Sequence, residues 1–322
     1  MTSFLSVAHS RALRRLSLFA VGASAILVLS IPHLTNGYAR LLAFAMLVNI
    51  TLALSYDVMG GLLGYLHLGH GLFFGIGGYT AALALGRGFH IFFSLLLAAA
   101  VGVSVAYASS WPLFRLRAEV FALVTLGLLY LAERLSTSLA TWTGGAAGLS
   151  LPADPASLWT QPSAWVLTLV VVLGHYVIRR SRLGMELIMI RENEEMAESV
   201  GININRVKRR AFLLSSAPAA LMGGIYAREI SFLVPSDAFG LDYSLGPVLM
   251  CLLLRPGTTW GPLVAAVGLT AIQDILWTTM PRLHLSLYGA LLIGLGMLHT
   301  CRRSGGDRSA RGHPIPQDTP LR

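Results

Sequence analysis

A single lysine, Lys208, stands among the 24 basic residues of this 322-residue chain. Val207 precedes it, so the sequence contains no GxxxxGK[ST] loop to cradle nucleotide phosphates. The chain therefore hydrolyses no ATP through a P-loop of its own. His67 and His70 lie one helical turn apart and could in principle share a metal. No carboxylate or further histidine adjoins them, so a metal site is not expected. Cys251 and Cys301 sit in apolar stretches without CxxC or CxxH spacing, which points to neither a metal framework nor structural disulfides. Carboxylates inside apolar runs usually face a protein interior or a cavity. Here they are Asp57, Glu119, Glu133 (beside Arg134) and Asp274. Asp57 and Glu119 fall near the ends of their runs, where solvation is the simpler reading. Asp274 lies deepest and reads first as a buried structural hydrogen bond, second as a pathway contact. No catalytic constellation emerges, and neither an enzyme nor a bound cofactor is expected.

The elements that hold these groups are membrane spans. The chain is 55% hydrophobic and 12% charged, with a mean hydropathy of +0.66. A soluble domain carries about 25% charged residues. A span needs about 20 mostly apolar residues. Candidate spans fall near 16–34, 38–57, 61–86, 89–112, 118–140, 164–180, 208–228, 242–255, 261–280 and 285–301. Lys and Arg concentrate in cytoplasmic loops. With the N-terminus inside and the spans alternating, 19 of the 24 basic residues fall on the cytoplasmic side. The net charge of +9 is then an orientation signal and not a nucleic-acid patch. The reading is an all-α polytopic integral membrane protein with about 8–10 transmembrane helices, glycine-broken segments included, and both termini cytoplasmic. Residues 1–301 form one transmembrane domain, and the polar 302–322 tail reads as disordered. Arg11, Arg14 and Arg15 before an apolar run, then Ala23-Ser24-Ala25, fit a cleavable signal peptide or an uncleaved anchor. The run continues to Leu34, which favours the anchor.

Two stretches interrupt the apolar monotony. From Arg179 to Arg210 runs RRSRLGMELIMIRENEEMAESVGININRVKRR, holding five of the 15 acidic residues. Its periodicity predicts a helix from Leu183 to Val200. Leu183, Leu187, Ile190, Ala197 and Val200 fall on one side, with Arg191, Glu192, Glu195 and Glu198 on the other. Gly201 is placed to end it in the left-handed conformation. The helix is either a solvated surface element or a docking helix that offers its acidic face to a soluble partner. The other stretch, residues 60–78, is dense in glycine. Gly60/Gly64 and Gly71/Gly75 are small-xxx-small pairs that would let helices pack closely. The cluster as a whole predicts a discontinuous segment beside a translocation path.

RSRLG, followed by RENEEMAESVGININRVKRRAFLLSSAPAALMGGIYA (Arg191–Ala227), resembles the signature region of branched-chain amino acid ABC transporter permeases of the LivH/LivM type. The likeness is closest to the LivM-type half. Three further segments agree in order. Gly61–Leu83, GLLGYLHLGHGLFFGIGGYTAAL, resembles the family's GxxSLGHaxFxGiGAYtaal. LRAEVFALVTLG and TGGAAGLSLP, within Leu116–Pro152, resemble LRGxYFAIVTLG and TGGxxGLxxiP. GTTWGP, Gly257–Pro262, resembles G[ST]xxGP. The chain departs from the pattern at His67, where the family usually has Ser, and at Leu254-Arg255, where it commonly has two glycines.

The resemblance implies a permease subunit of an ABC importer in the bacterial inner membrane, carrying branched-chain or related small amino acids. It implies as partners a homologous second permease subunit, two cytoplasmic ABC ATPase subunits and a periplasmic substrate-binding protein docked on the outer loops Thr141–Ser163 and Arg228–Asp242. By the same resemblance the cytoplasmic loop at about 181–208 would couple to the ATPases. Arg191, Glu194, Glu195, Glu198, Gly201 and Asn203 are its candidate residues. Gly64, His67, His70, Gly75 and Asp274 are the candidates for the translocation pathway. Import of urea or short amides by the same family is the alternative, as is an ion-coupled secondary transporter, for which Asp274 alone is thin support.

Overall fold

The computed structural model describes residues 37–151, 160–279 and 290, with side chains to Ile275 and at Ala290. The candidate spans at 16–34 and 285–301, the signal-like start and the 302–322 tail lie outside the described residues. The described residues up to Ile275 form one compact unit.

Helix α1 (Gly37–Asp57) runs on into a π-helical turn, Val58–Leu62. Residues 63–69 are not helical, and α2 (His70–Gly86) resumes the course. There follow α3 (Ile91–Leu113), α4 (Ala118–Ser138), the single turn α5 (Ala140–Thr143), a 3-10 turn at Gly145–Ala147 and β1 (Leu149–Ser150). Next come α6 (Thr160–Arg180), α7 (Arg182–Glu192), α8 (Glu194–Ser199) and the 27-residue α9 (Ile204–Ile230). The described order ends with β2 (Phe232–Leu233), α10 (Pro235–Ala238), α11 (Asp242–Leu253) and α12 (Trp260–Thr279). Among the described residues, four helices are long and apolar enough to cross a membrane: Gly37–Leu62, Ile91–Leu113, Ala118–Ser138 and Thr160–Arg180.

The glycine-broken run at 61–86 is divided, its first residues completing the helix begun by α1 and the rest forming α2. The short run at 242–255 yields a helix of 12 residues, about 18 Å long and less than a full span. One sequence expectation needs correction here. The helix expected from Leu183 to Val200 is broken at Asn193, whose extended backbone separates α7 from α8. The Asn193 side chain accepts a hydrogen bond from the Met196 amide at 3.0 Å. Asparagine is among the strongest N-caps, and a local cap here overrides the continuing periodicity.

The core sits where α2, α3 and α9 cross. A Cβ on Gly77 would lie 2.0 Å from the Ala220 carbonyl oxygen, and one on Gly223 would lie 1.9 Å from that of Phe74. Backbone therefore meets backbone, as membrane helices do where small residues allow it. The pair expected at Gly60/Gly64 is not such a face. Gly64 falls in the non-helical stretch at φ +81°, pressed on the Arg191 side chain. On the far rim, β1 and β2 pair antiparallel, Leu149 opposite Leu233 and Ser150 opposite Phe232. This short ribbon joins the two outer loops on which a binding protein was expected to dock.

Arg255, which departs from the family's glycines, adopts φ +48° in the exposed turn between α11 and α12. A side chain in this left-handed region costs about 1–2 kcal/mol, partly offset by the larger unfolded-state entropy of glycine. Arg255→Gly is expected to stabilise the fold by about 0.5–1 kcal/mol. A thermal melt in detergent reads this as a rise of about 1–4 °C, and a fall would show that the arginine side chain holds the turn.

Candidate functional site

Two buried clusters surround the break between α1 and α2. The first lies at the bundle end that carries α7 and α8. The Asn193 cap brings Glu194 to the start of α8, pointing back at the bundle. Lys208 Nζ donates to both Glu194 oxygens at 2.8 Å and to the Tyr65 hydroxyl at 2.6 Å. Tyr65 in turn donates to Glu194 Oε1 at 2.7 Å, and Lys208 Nζ stands 4.5 Å over the Tyr65 ring. The Lys208 side chain is 6% exposed and that of Glu194 41%, so the cation is the deeply held partner. Burial pushes the Glu194 carboxyl up, but its hydrogen bonds from Lys208 and Tyr65 outweigh this and hold it below its ordinary value.

One turn earlier, Arg191 Nη1 donates to the Gly61 carbonyl at 2.7 Å. Its stem fills the space beside Gly64, and its Nη2 meets Glu192. A helical wheel through 183–200 set Arg191 on the outer face. The long Arg191 side chain instead bends inward to the π-turn, and beyond Asn193 the break changes the helical phase. The same change leaves Val200 exposed where it was expected to be buried, whereas Leu187, Ile190 and Ala197 are buried. Glu195 and Glu198 are exposed, as are Met185 and Met189 on α7, Met196 on α8 and Val200 just after it. Gly201 ends the element at φ +88°, and Asn203 caps α9 by accepting from the Arg206 amide at 3.1 Å. A cleft of about 680 Å³ opens here, with Arg115, Arg117, Glu194, Glu198, Asn203 and Lys208 among its lining.

The second cluster centres on Asp57, which is fully buried and not solvated as its position near a span end suggested. Its Oδ1 accepts from the Cys251 thiol at 2.8 Å and from the Gly257 amide at 2.9 Å. Its Oδ2 lies 2.8 Å from His175 Nε2, and His175 Nδ1 lies 3.0 Å from the Thr259 hydroxyl. One carboxylate thereby joins α1, α6, α11 and the GTTWGP turn.

The pathway candidates are not gathered in one place. His67 and His70 are buried, edge to face with ring centroids 5.9 Å apart, and His67 packs against Phe73, Phe121 and Phe212. His70 Nε2 is 3.0 Å from the Ser55 hydroxyl. Gly75 lies against the Phe239 ring. Asp274, on α12, accepts a hydrogen bond from Tyr38 at the start of α1. Tyr65, His175 and the pairing of Lys208 with Glu194 were missed from sequence. The one signal available was that the chain uses lysine once among 24 basic residues.

A family model described as "Branched-chain amino acid transport system / permease component" matches residues 37–296. The high-affinity branched-chain amino acid transport system permease protein LivM of Salmonella typhimurium is 29% identical over 288 residues, covering 78% of this chain and 67% of the relative. LivM of Escherichia coli is 28% identical over the same shares. An autoinducer 2 import system permease protein, LsrC of Yersinia enterocolitica, is 28% identical over 63% of this chain and 58% of its own. No solved structure matches.

Proposed function

The chain belongs to the family of branched-chain amino acid transport permease components, and from that premise we propose that it carries branched-chain or related small amino acids inward, driven by ATP hydrolysed in partner subunits. It is a multi-pass protein of the bacterial inner membrane. In this reading α8 seats on a cytoplasmic ATPase subunit, with Glu195 and Glu198 facing basic residues and Met196 and Val200 filling an apolar hollow. Closure of the ATPase pair moves α8 as a rigid element. Arg191 and Glu194 pass that motion to Gly61 and Tyr65 at the helix break. The observation that carries the reading is the double attachment of the α7–α8 segment, through Arg191 of α7 and Glu194 of α8, to one discontinuous span. A second homologous permease subunit, two ATPase subunits and an exported binding protein on the β1–β2 rim complete the assembly. The LsrC relatives favour a second reading of the cargo, an autoinducer 2 import substrate.

Glu198→Lys tests the coupling role. Glu198 is exposed and makes no ion pair among the described residues, so the fold should tolerate the change. A like charge set against a basic partner costs enough to lower coupled transport at least about tenfold. The assay is uptake per ATP hydrolysed by the reconstituted importer, with competing amino acids and autoinducer 2 to define the cargo. Unchanged uptake would remove α8 from the coupling path.

A further inference from the structure

The last two turns of α3 present Tyr107 and Trp111 on one face, and both rings are more than half exposed. Each carries a guanidinium from a different segment. Arg209, near the start of α9, lies 5.7 Å over the Tyr107 ring, and Arg115, beyond the end of α3, lies 5.1 Å over Trp111. Two cations thus stand along one aromatic row at the end of a membrane span, where tyrosine and tryptophan mark the lipid headgroup level. Neither has a carboxylate at ion-pair distance among the described residues, and the same holds for Arg117, Arg206 and Arg210. Arg209 Nε is moreover buried without a hydrogen-bond partner. Unpaired cations at the rim of a low-dielectric layer are costly, and a buried donor left unmade adds to that cost. The row lacks an anion.

We propose that Tyr107, Trp111, Arg115 and Arg209 form a binding site for one anionic phospholipid. A phosphodiester offers planar acceptor pairs that fit guanidinium forks. An acyl chain would run up the exposed side of α3 past the small, exposed Ser104 and Ala100. From Trp111 to Ala100 is about 16 Å of helix, the depth of about half the hydrocarbon core. Charge complementarity selects the lipid class. A zwitterionic headgroup would bring its own cation against the arginines, whereas a net negative one would not.

The test uses the full chain in detergent, melted with increasing phosphatidylglycerol, phosphatidylcholine or inorganic phosphate. The wild type should gain several degrees with phosphatidylglycerol and less than about a third of that with either control. Arg115→Gln/Arg209→Gln should keep its melting temperature in phosphatidylcholine and lose at least half of the phosphatidylglycerol gain. An equal gain in the variant, or an equal gain of the wild type with phosphatidylcholine, overturns the proposal. A full gain with inorganic phosphate alone assigns the row to a free anion and overturns the lipid. If the variant does not fold, native mass spectrometry of the wild type in an equimolar mixture of the two lipids decides. About tenfold retention of phosphatidylglycerol over phosphatidylcholine supports the site, and equal retention refutes it.

Discussion

Lys208→Met is expected to leave the ATPases bound and hydrolysing while lowering substrate moved per ATP by about tenfold, a loss of about 1.4 kcal/mol of coupling. Methionine fills much of the volume of the lysine stem, so the core about Val207 and Ala211 persists, and Glu194 retains the Tyr65 hydroxyl and access to water. The reverse deletion is harsher. Glu194→Ala leaves the buried Lys208 cation without its counter-charge, and breaking a buried pair this way costs about 3–5 kcal/mol. Because Glu194 is 41% exposed, water screens part of the pair, and a loss of about 2 kcal/mol is expected. The Lys208→Met/Glu194→Gln double variant should recover stability but not coupling. A structural role alone would restore both, so transport per ATP in the double variant separates the two. The pH dependence follows in sign. Glu194 titrates below its ordinary value of 4.5. Its contribution is therefore complete above that value and disappears only as pH falls through the lowered one. Between pH 6 and 8 the wild-type ratio should be flat, and a titration in that range would mean that another group governs the contact.

The parts of this arrangement differ in how far a single sequence reveals them. Helices α4 and α6 were legible because each is a largely apolar run of about span length with arginine at one end. The break before α2 was legible from glycine density, since a helix without side chains to pack gains little from continuing. Its edges were not. Leu62 ends a helix because the π-turn places the Gly61 carbonyl where Arg191 can bind it, and that partner lies 130 residues away. Asn193 carried a readable cap signal, an asparagine before Glu-Glu, but the apolar period on either side concealed it. No local pattern foretold that Tyr65 would meet Glu194 or that Asp57 would meet His175. Both contacts depend on how segments far apart in the chain come together, 129 residues apart for Tyr65 and Glu194 and 118 for Asp57 and His175. The proposed docking face was half legible: its acids were visible, but the exposed Met196 and Val200 required the phase change at Asn193.

Asp57→Ala should do the most damage of any single change at this site. Asp57 satisfies three donors at once: the Cys251 thiol, the Gly257 amide and, in the tautomer with hydrogen on Nε2, the imidazole of His175. That tautomer leaves His175 Nδ1 to accept from the Thr259 hydroxyl, so one protonation pattern satisfies the whole set. Alanine would strand these donors with no water to take them, at a cost of about 3–5 kcal/mol. The melting temperature should fall by on the order of 10 °C. Asp57→Asn is the informative contrast. With its oxygen kept toward Cys251 and Gly257, the new amide faces His175, which can accept it by moving its hydrogen to Nδ1 and donating to Thr259. The asparagine variant should therefore lose less than half as much as the alanine variant. Equal losses would mean that the negative charge itself, and not the hydrogen-bond pattern, holds α1, α6 and α11 together. Gly61→Ala provides an independent route to the same disruption. Its Cβ would lie 1.9 Å from Asp57 Oδ1 and 2.4 Å from the Gly257 amide nitrogen. It displaces the carboxylate without altering its chemistry, so a melt resembling that of Asp57→Ala places the stabilisation in the geometry of the cluster.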